Sequence, residues 1–140
     1  MTVSPETLVT AAGRLLSPGP GTADASAPSA LTPGLRARAA AVLLRMALDQ
    51  ALDAYWLGVT PSMTRVGKHR MLCLEWYAGH DTARRCRTTW SALSAACHYR
   101  TGELPPSPAE IHTRLLEVTS LLSALRPGTG TTPLSSTAGS

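Results

Sequence analysis

The stretch from Asp81 to Tyr99 constrains the fold most, because it is a helical pattern closed on both sides by residues that stop helices. Gly79 precedes it, and Gly102 and the prolines at 105, 106 and 108 follow. Within it Ala83, Cys86, Trp90, Leu93 and Cys97 recur at three- and four-residue spacing, the signature of one apolar helix face. Asp81 suits the N-cap, three arginines (Arg84, Arg85 and Arg87) stand at the entrance, and His98 and Tyr99 mark the exit. Ser91, Ala92, Ser94, Ala95 and Ala96 are small enough to let a second helix approach closely, which predicts a central, tightly packed helix.

Its partners are legible in the same way. Ser4 as N-cap and Pro5 at the first helical position predict a short helix to Leu16, with Leu8, Ala11, Ala12, Leu15 and Leu16 on one face and Gly13 weakening it. Residues 17–32 mix Pro, Gly, Ser and Ala without periodicity and read as a flexible linker, so this first helix is expected to dock loosely or not at all. Thr32 and Pro33 open a long helix to about Leu57, with Ala40, Leu43, Leu44, Ala47, Leu48, Ala51, Ala54 and Tyr55 inward. Arg38, Arg45, Asp49 and Asp53 lie outward, Arg45 and Asp49 being spaced to pair, and Trp56 falls on this polar side.

Ser62 begins a third pattern to Ala78 through Met63, Gly67, Met71 and Leu74, flanked by Arg65, His69, Leu72 and Trp76. Ser107, Pro108 and Glu110 form a capping box that starts a last helix with Ile111, Leu115, Val118, Leu122 and Leu125 as its stripe, stopped at Pro127 and Gly128. The apolar content leans on Ala and Leu, with no Phe, which favours helix over sheet. The expectation is an all-α chain: an antiparallel four-helix bundle over 33–126, an extra N-terminal helix at 1–16, the linker at 17–32 and a disordered tail at 127–140.

Thirteen basic against nine acidic residues give a charge of +4, far short of the balance of a histone-like protein. Lys68 is the single lysine, a skew that with abundant Ala, Gly and Pro matches a GC-rich genome. Cys73, Cys86 and Cys97 are an odd number set within helical patterns, so they read as small buried hydrophobes in a reducing compartment. The LVTAAGRLL run near the start is short and broken by Arg14, which predicts neither a signal peptide nor a membrane span and places the chain in the cytoplasm.

The segment RMLCLEWYAGHDTARR followed by WSALSAACHYRTGELPPSPAEI resembles a family of small uncharacterised actinobacterial proteins. In that family a W-x-x-L-S-x-A-C-H helix leads into a Y-E-L-x-P-T cap; the matching positions here are Trp90, Leu93, Ser94, Ala96, Cys97 and His98, then Glu103, Leu104, Pro106 and Ser107. The likeness covers roughly residues 36 to 122. That family in turn is similar to HEPN-like bundles, some of which are ribonucleases using an arginine and a histidine separated by four to six residues. The spacing is missing: three residues separate Arg65 from His69 and ten separate Arg87 from His98. The resemblance therefore implies the bundle and a dimer rather than the activity.

Among chemically capable residues, Arg87, Ser91, Ser94 and His98 share a helix face, making His98 and Arg87 the catalytic candidates; the plainer reading has His98 capping the helix C-terminus, with Glu103 able to orient it. Arg84, Arg85 and Arg87 are the candidates for an anion or nucleic acid, against internal pairing with carboxylates such as Glu75 or Asp81. His69 and Cys73 are four apart, but zinc sites bring paired ligands, so neither metal nor cofactor is expected. Trp56 and Trp76 are the partner-surface candidates, Trp56 unless the loop from Gly58 to Pro61 covers it. These observations favour a non-enzymatic interaction module that self-associates or docks a protein; the alternative is an RNA- or nucleotide-directed protein acting through Arg84, Arg85, Arg87 and His98.

Overall fold

Side-chain caps and prolines fix where three of the helices begin. The structure, a computed structural model, describes residues 3–17, 32–59, 71–98 and 102–126. Most of the expected linker, the expected tail and the positions Ser62, Met63, Arg65, Gly67 and His69 lie outside them. Five helices and no strand are found among the described residues, so the chain is all-α there.

Helix α1 (Pro5–Leu16) starts where Ser4 Oγ accepts from the Thr7 amide at 3.2 Å, and α2 (Pro33–Val59) where Thr32 Oγ1 accepts from the Leu35 amide at 3.2 Å. Helix α3 (Leu74–Ala78) ends at Gly79, whose φ of 97° lies in the region glycine tolerates. Helix α4 (His80–Cys97) follows at once, and α5 (Pro108–Ala124) begins at the predicted capping box, Ser107 Oγ accepting from the Glu110 amide at 3.1 Å. Asp81 is not the cap of α4: Gly79 holds that position without a side-chain bond, and the Asp81 carboxylate pairs with Arg84 instead.

Helix α1 packs on α2 and α5, α2 also on α4 and α5, and α4 on α3 and α5. The expected loose docking of α1 is corrected: Leu8 and Ala12 are buried, and Gly13 lies against Leu115 of α5, where a side chain at 13 would have ordinary contact distance. Helix α4 touches three neighbours, yet the widest buried arc belongs to α2. Ala37, Ala40, Ala41, Leu44, Ala47, Leu48, Ala51, Leu52 and Trp56 are all buried there, because α1, α4 and α5 cover it from different sides. Ala54, expected inward, is exposed. The predicted seam of α4 holds at Ala83, Cys86, Leu93 and Cys97, with Trp90 half-buried at its edge; on α5, Ile111, Val118, Leu122 and Leu125 are buried as predicted, with Leu121 added. No helix among the described residues is long and apolar enough to cross a membrane.

Candidate functional site

Three turns of α2 and the last two turns of α4 enclose an open groove of about 550 Å³ lined by Arg38, Val42, Arg45, Met46, Asp49, Trp90, Cys97 and His98. The spacing of Arg38, Val42, Arg45 and Asp49 places them along one face of α2, and the end of α4 lies across that face. Arg38 Nε donates to the Cys97 carbonyl at 3.1 Å, so an arginine from the neighbouring helix supplies the positive group that the exposed carbonyls and dipole of a helix C-terminus favour. The Arg45 guanidinium carbon sits 4.8 Å above the centre of the Trp90 ring, a cation–π arrangement, and Arg45 Nη1 is 3.5 Å from His98 Nε2. Since arginine only donates, that contact requires the His98 proton on Nδ1, leaving Nε2 to accept.

His98 thus caps α4 with its backbone, its amide donating to the Ser94 and Ala95 carbonyls at 3.2 and 3.3 Å, while its side chain turns toward Arg45. Arg87, its suggested catalytic companion, is eleven residues away on the same helix, ~16 Å along the axis at 1.5 Å per residue. The two do not meet. Ser94 Oγ is buried without a hydrogen-bond partner among the described residues, and Glu103 lines a different groove, between α4 and the start of α5.

The arginine cluster at the other end of α4 is divided between internal partners. Arg84 Nη2 bonds Asp81 Oδ1 at 3.0 Å on the surface, whereas Arg85 crosses to α5, its Nε donating to Glu117 Oε1 at 2.6 Å and its Nη2 to Ser120 Oγ at 2.7 Å. Arg87 is half-buried and makes no ion pair with a described residue. Glu75, the other expected carboxylate, pairs with His80 at 2.8 Å.

Burial pushes the Cys86 thiol up to about 12, outweighing the neighbouring Arg85 guanidinium. Cys97 is also raised by burial, with Arg45 and Arg38 opposing the shift. Both stay protonated and lack the character of a thiolate nucleophile at neutral pH. His69 lies outside the described residues; within them no three of the residue types His, Cys, Asp and Glu gather around a point.

The two tryptophans named as surface candidates part company. Trp56 is 0% exposed, its ring edge-on to both Tyr55 (5.3 Å) and Tyr77 (5.1 Å), so its place on a partner surface is corrected: α3 supplies the ring that packs on the polar side of α2. Its Nε1 has no hydrogen-bond partner among the described residues. Trp76, the residue before Tyr77 on the same short helix, is 88% exposed. Sequence reasoning missed Arg38 and Arg45 as site residues. Their signal was the shared outer face with Asp49, which was read as a solvated stripe because nothing in the spacing shows which helix will cross it. Compared with known proteins, the chain matches no family model, no curated protein and no solved structure.

Proposed function

We propose that this chain is a non-enzymatic helical interaction module that pairs with a second copy of itself through the face of α3. The observation that carries the reading is Trp76, the largest side chain of its helix, standing 88% exposed. Leu72 and Tyr77 beside it, and Leu57 and Val59 at the end of α2, are exposed apolar residues on adjoining segments, tied together by the Trp56–Tyr77 ring contact. Exposed apolar surface of this kind marks an interaction site, and tryptophan is a common anchor of binding energy.

A second copy suits the charge pattern. The one charged residue of α3, Glu75, pairs with His80 at the start of α4, and the arginines of α4 begin only at Arg84. Two copies related by a two-fold axis would bring these apolar faces together without opposing arginines. In this reading the helices form an antiparallel four-helix bundle of the HEPN-like kind, working as a dimer in the cytoplasm. The RNA-directed alternative draws no support from Arg84 and Arg85, whose charges are met by Asp81 and Glu117.

Two differently tagged copies mixed and captured through one tag test the proposal. The wild-type pair is expected to co-elute, and Trp76→Ser in both copies to abolish co-elution while leaving the far-ultraviolet circular dichroism unchanged. Undiminished co-elution of the variant would refute it.

A further inference from the structure

We infer that the groove between α2 and the end of α4 binds a small molecule carrying a single carboxylate or phosphate group on an apolar body, with Arg45 and His98 as the anion's partners. The site is separate from the α3 face. Arg45 is held in place before any ligand arrives, its guanidinium lying 4.8 Å from the Trp90 ring centre, and no described carboxylate forms an ion pair with it, although Asp49 is one turn away on its own helix. His98 Nε2 faces the same point from α4 at 3.5 Å. With His98 neutral the two groups share one weak contact; with it protonated, two cations face each other across an open space. An oxyanion between them accepts a charge-assisted hydrogen bond from each and removes the repulsion.

The remaining walls define the rest of the ligand. Val42 and Met46 are exposed apolar residues of α2 that border the groove, and about 550 Å³ is the size of a small-molecule site. Asp49 lines the same space, and Arg38 is engaged with the Cys97 carbonyl. With Arg38 bonded to the Cys97 carbonyl, Arg45 and His98 are the two groups that meet the anion, enough for one anionic group rather than a chain of phosphates. The charged and titratable groups that line the groove with His98 are Arg38, Arg45 and Asp49 from α2 and the Cys97 thiol from its own helix.

The test titrates phenyl phosphate and benzoate separately into the full chain at low salt and a pH of about 6, read by ¹H–¹⁵N chemical shifts. Saturable shifts confined to residues around Arg45 and His98 are expected with at least one probe; the phosphate alone assigns a phosphoryl ligand, benzoate alone a carboxylate. Arg45→Met is expected to weaken binding by about tenfold or more, the loss of one charge-assisted hydrogen bond. His98→Ala is expected to weaken binding as well, because the anion then loses the partner that α4 supplies. Should Arg45→Met fail to fold, Arg45→Lys is read in its place, with weaker binding expected because lysine lacks the stacked fork. Failure of both probes to saturate, or wild-type affinity in the folded Arg45 variant, overturns the inference.

Discussion

Arg85 and Cys86 are adjacent residues on α4 that test the interior in different ways. The Arg85 guanidinium bonds both Glu117 and Ser120, with the ion pair about two-thirds buried on each side, so it contributes more than the exposed Arg84–Asp81 pair. Arg85→Met is expected to lower unfolding free energy by about 1–2 kcal/mol, and Arg84→Met by about 0.5 kcal/mol or less, as read by urea denaturation. Equal small losses would show that the α4–α5 bridge is as solvated as the surface pair.

Cys86 gives a pH signature. Its thiol is pushed from the ordinary 9.0 to about 12 in the native state, so both states hold the proton below the lower value. Between the two values the unfolded chain ionises and the folded one does not. Stability therefore falls as pH rises through that window, by up to about 1.4 kcal/mol per pH unit from this group. Tyr55 and Cys97, also raised by burial, add to the fall in the same direction. Cys86→Ala is expected to make the decline in urea midpoint above about pH 9 shallower without abolishing it; an unchanged slope would contradict the burial of Cys86. At this scale the sequence was read well for Cys86 and Cys97, whose seam spacing determines their burial, and poorly for Trp56. Its position on the polar arc of α2 said nothing of the Tyr77 ring that packs on it.

At the scale of the helices, local chemistry was the most legible part. The N-caps at Ser4 and Ser107 act through side-chain oxygens meeting amides three residues on, an interaction the sequence specifies by itself. The start of α4 misled because Asp81 offers a good cap, yet Gly79 adopts a left-handed φ and occupies the cap position, leaving the carboxylate to Arg84. The docking of α1 was illegible for a different reason: Leu8 and Ala12 show a face, but nothing in the spacing or in the Pro, Gly and Ser composition after it says which helices that face will meet. Two glycines test the packing, Gly13 that of α1 on α5 and Gly34 that of Pro105 on α2. A methyl group at Gly13 meets Leu115 at 3.6 Å, an ordinary contact, so Gly13→Ala is expected to stabilise by about 0.5–1 kcal/mol through helix propensity. At Gly34 the same methyl group would fall 2.9 Å from the Pro105 ring, so Gly34→Ala is expected to destabilise despite the same propensity gain. Thermal unfolding of the two variants checks the contrast, and a shift of the same sign in both would contradict the placement of Pro105 against α2.

The molecule as a whole has one core shared by α1, α2, α4 and α5, with α3 placed over the end of α2 and against α4. That arrangement separates two surfaces, the apolar face of α3 and the Arg45–His98 groove, which are open to separate tests. Helical class and the core were readable from periodicity because burial imposes it. The groove was not, since Arg45, Trp90 and His98 come from segments whose crossing depends on tertiary packing. The measurement that bears most directly on the proposed function is sedimentation equilibrium of the wild-type chain and of Trp76→Ser over a wide range of concentration. The account predicts a wild-type mass approaching twice the 14.7 kDa of one chain and a variant that remains at the single-chain mass. A wild-type protein monomeric at every concentration, or a variant as dimeric as the wild type, would contradict it.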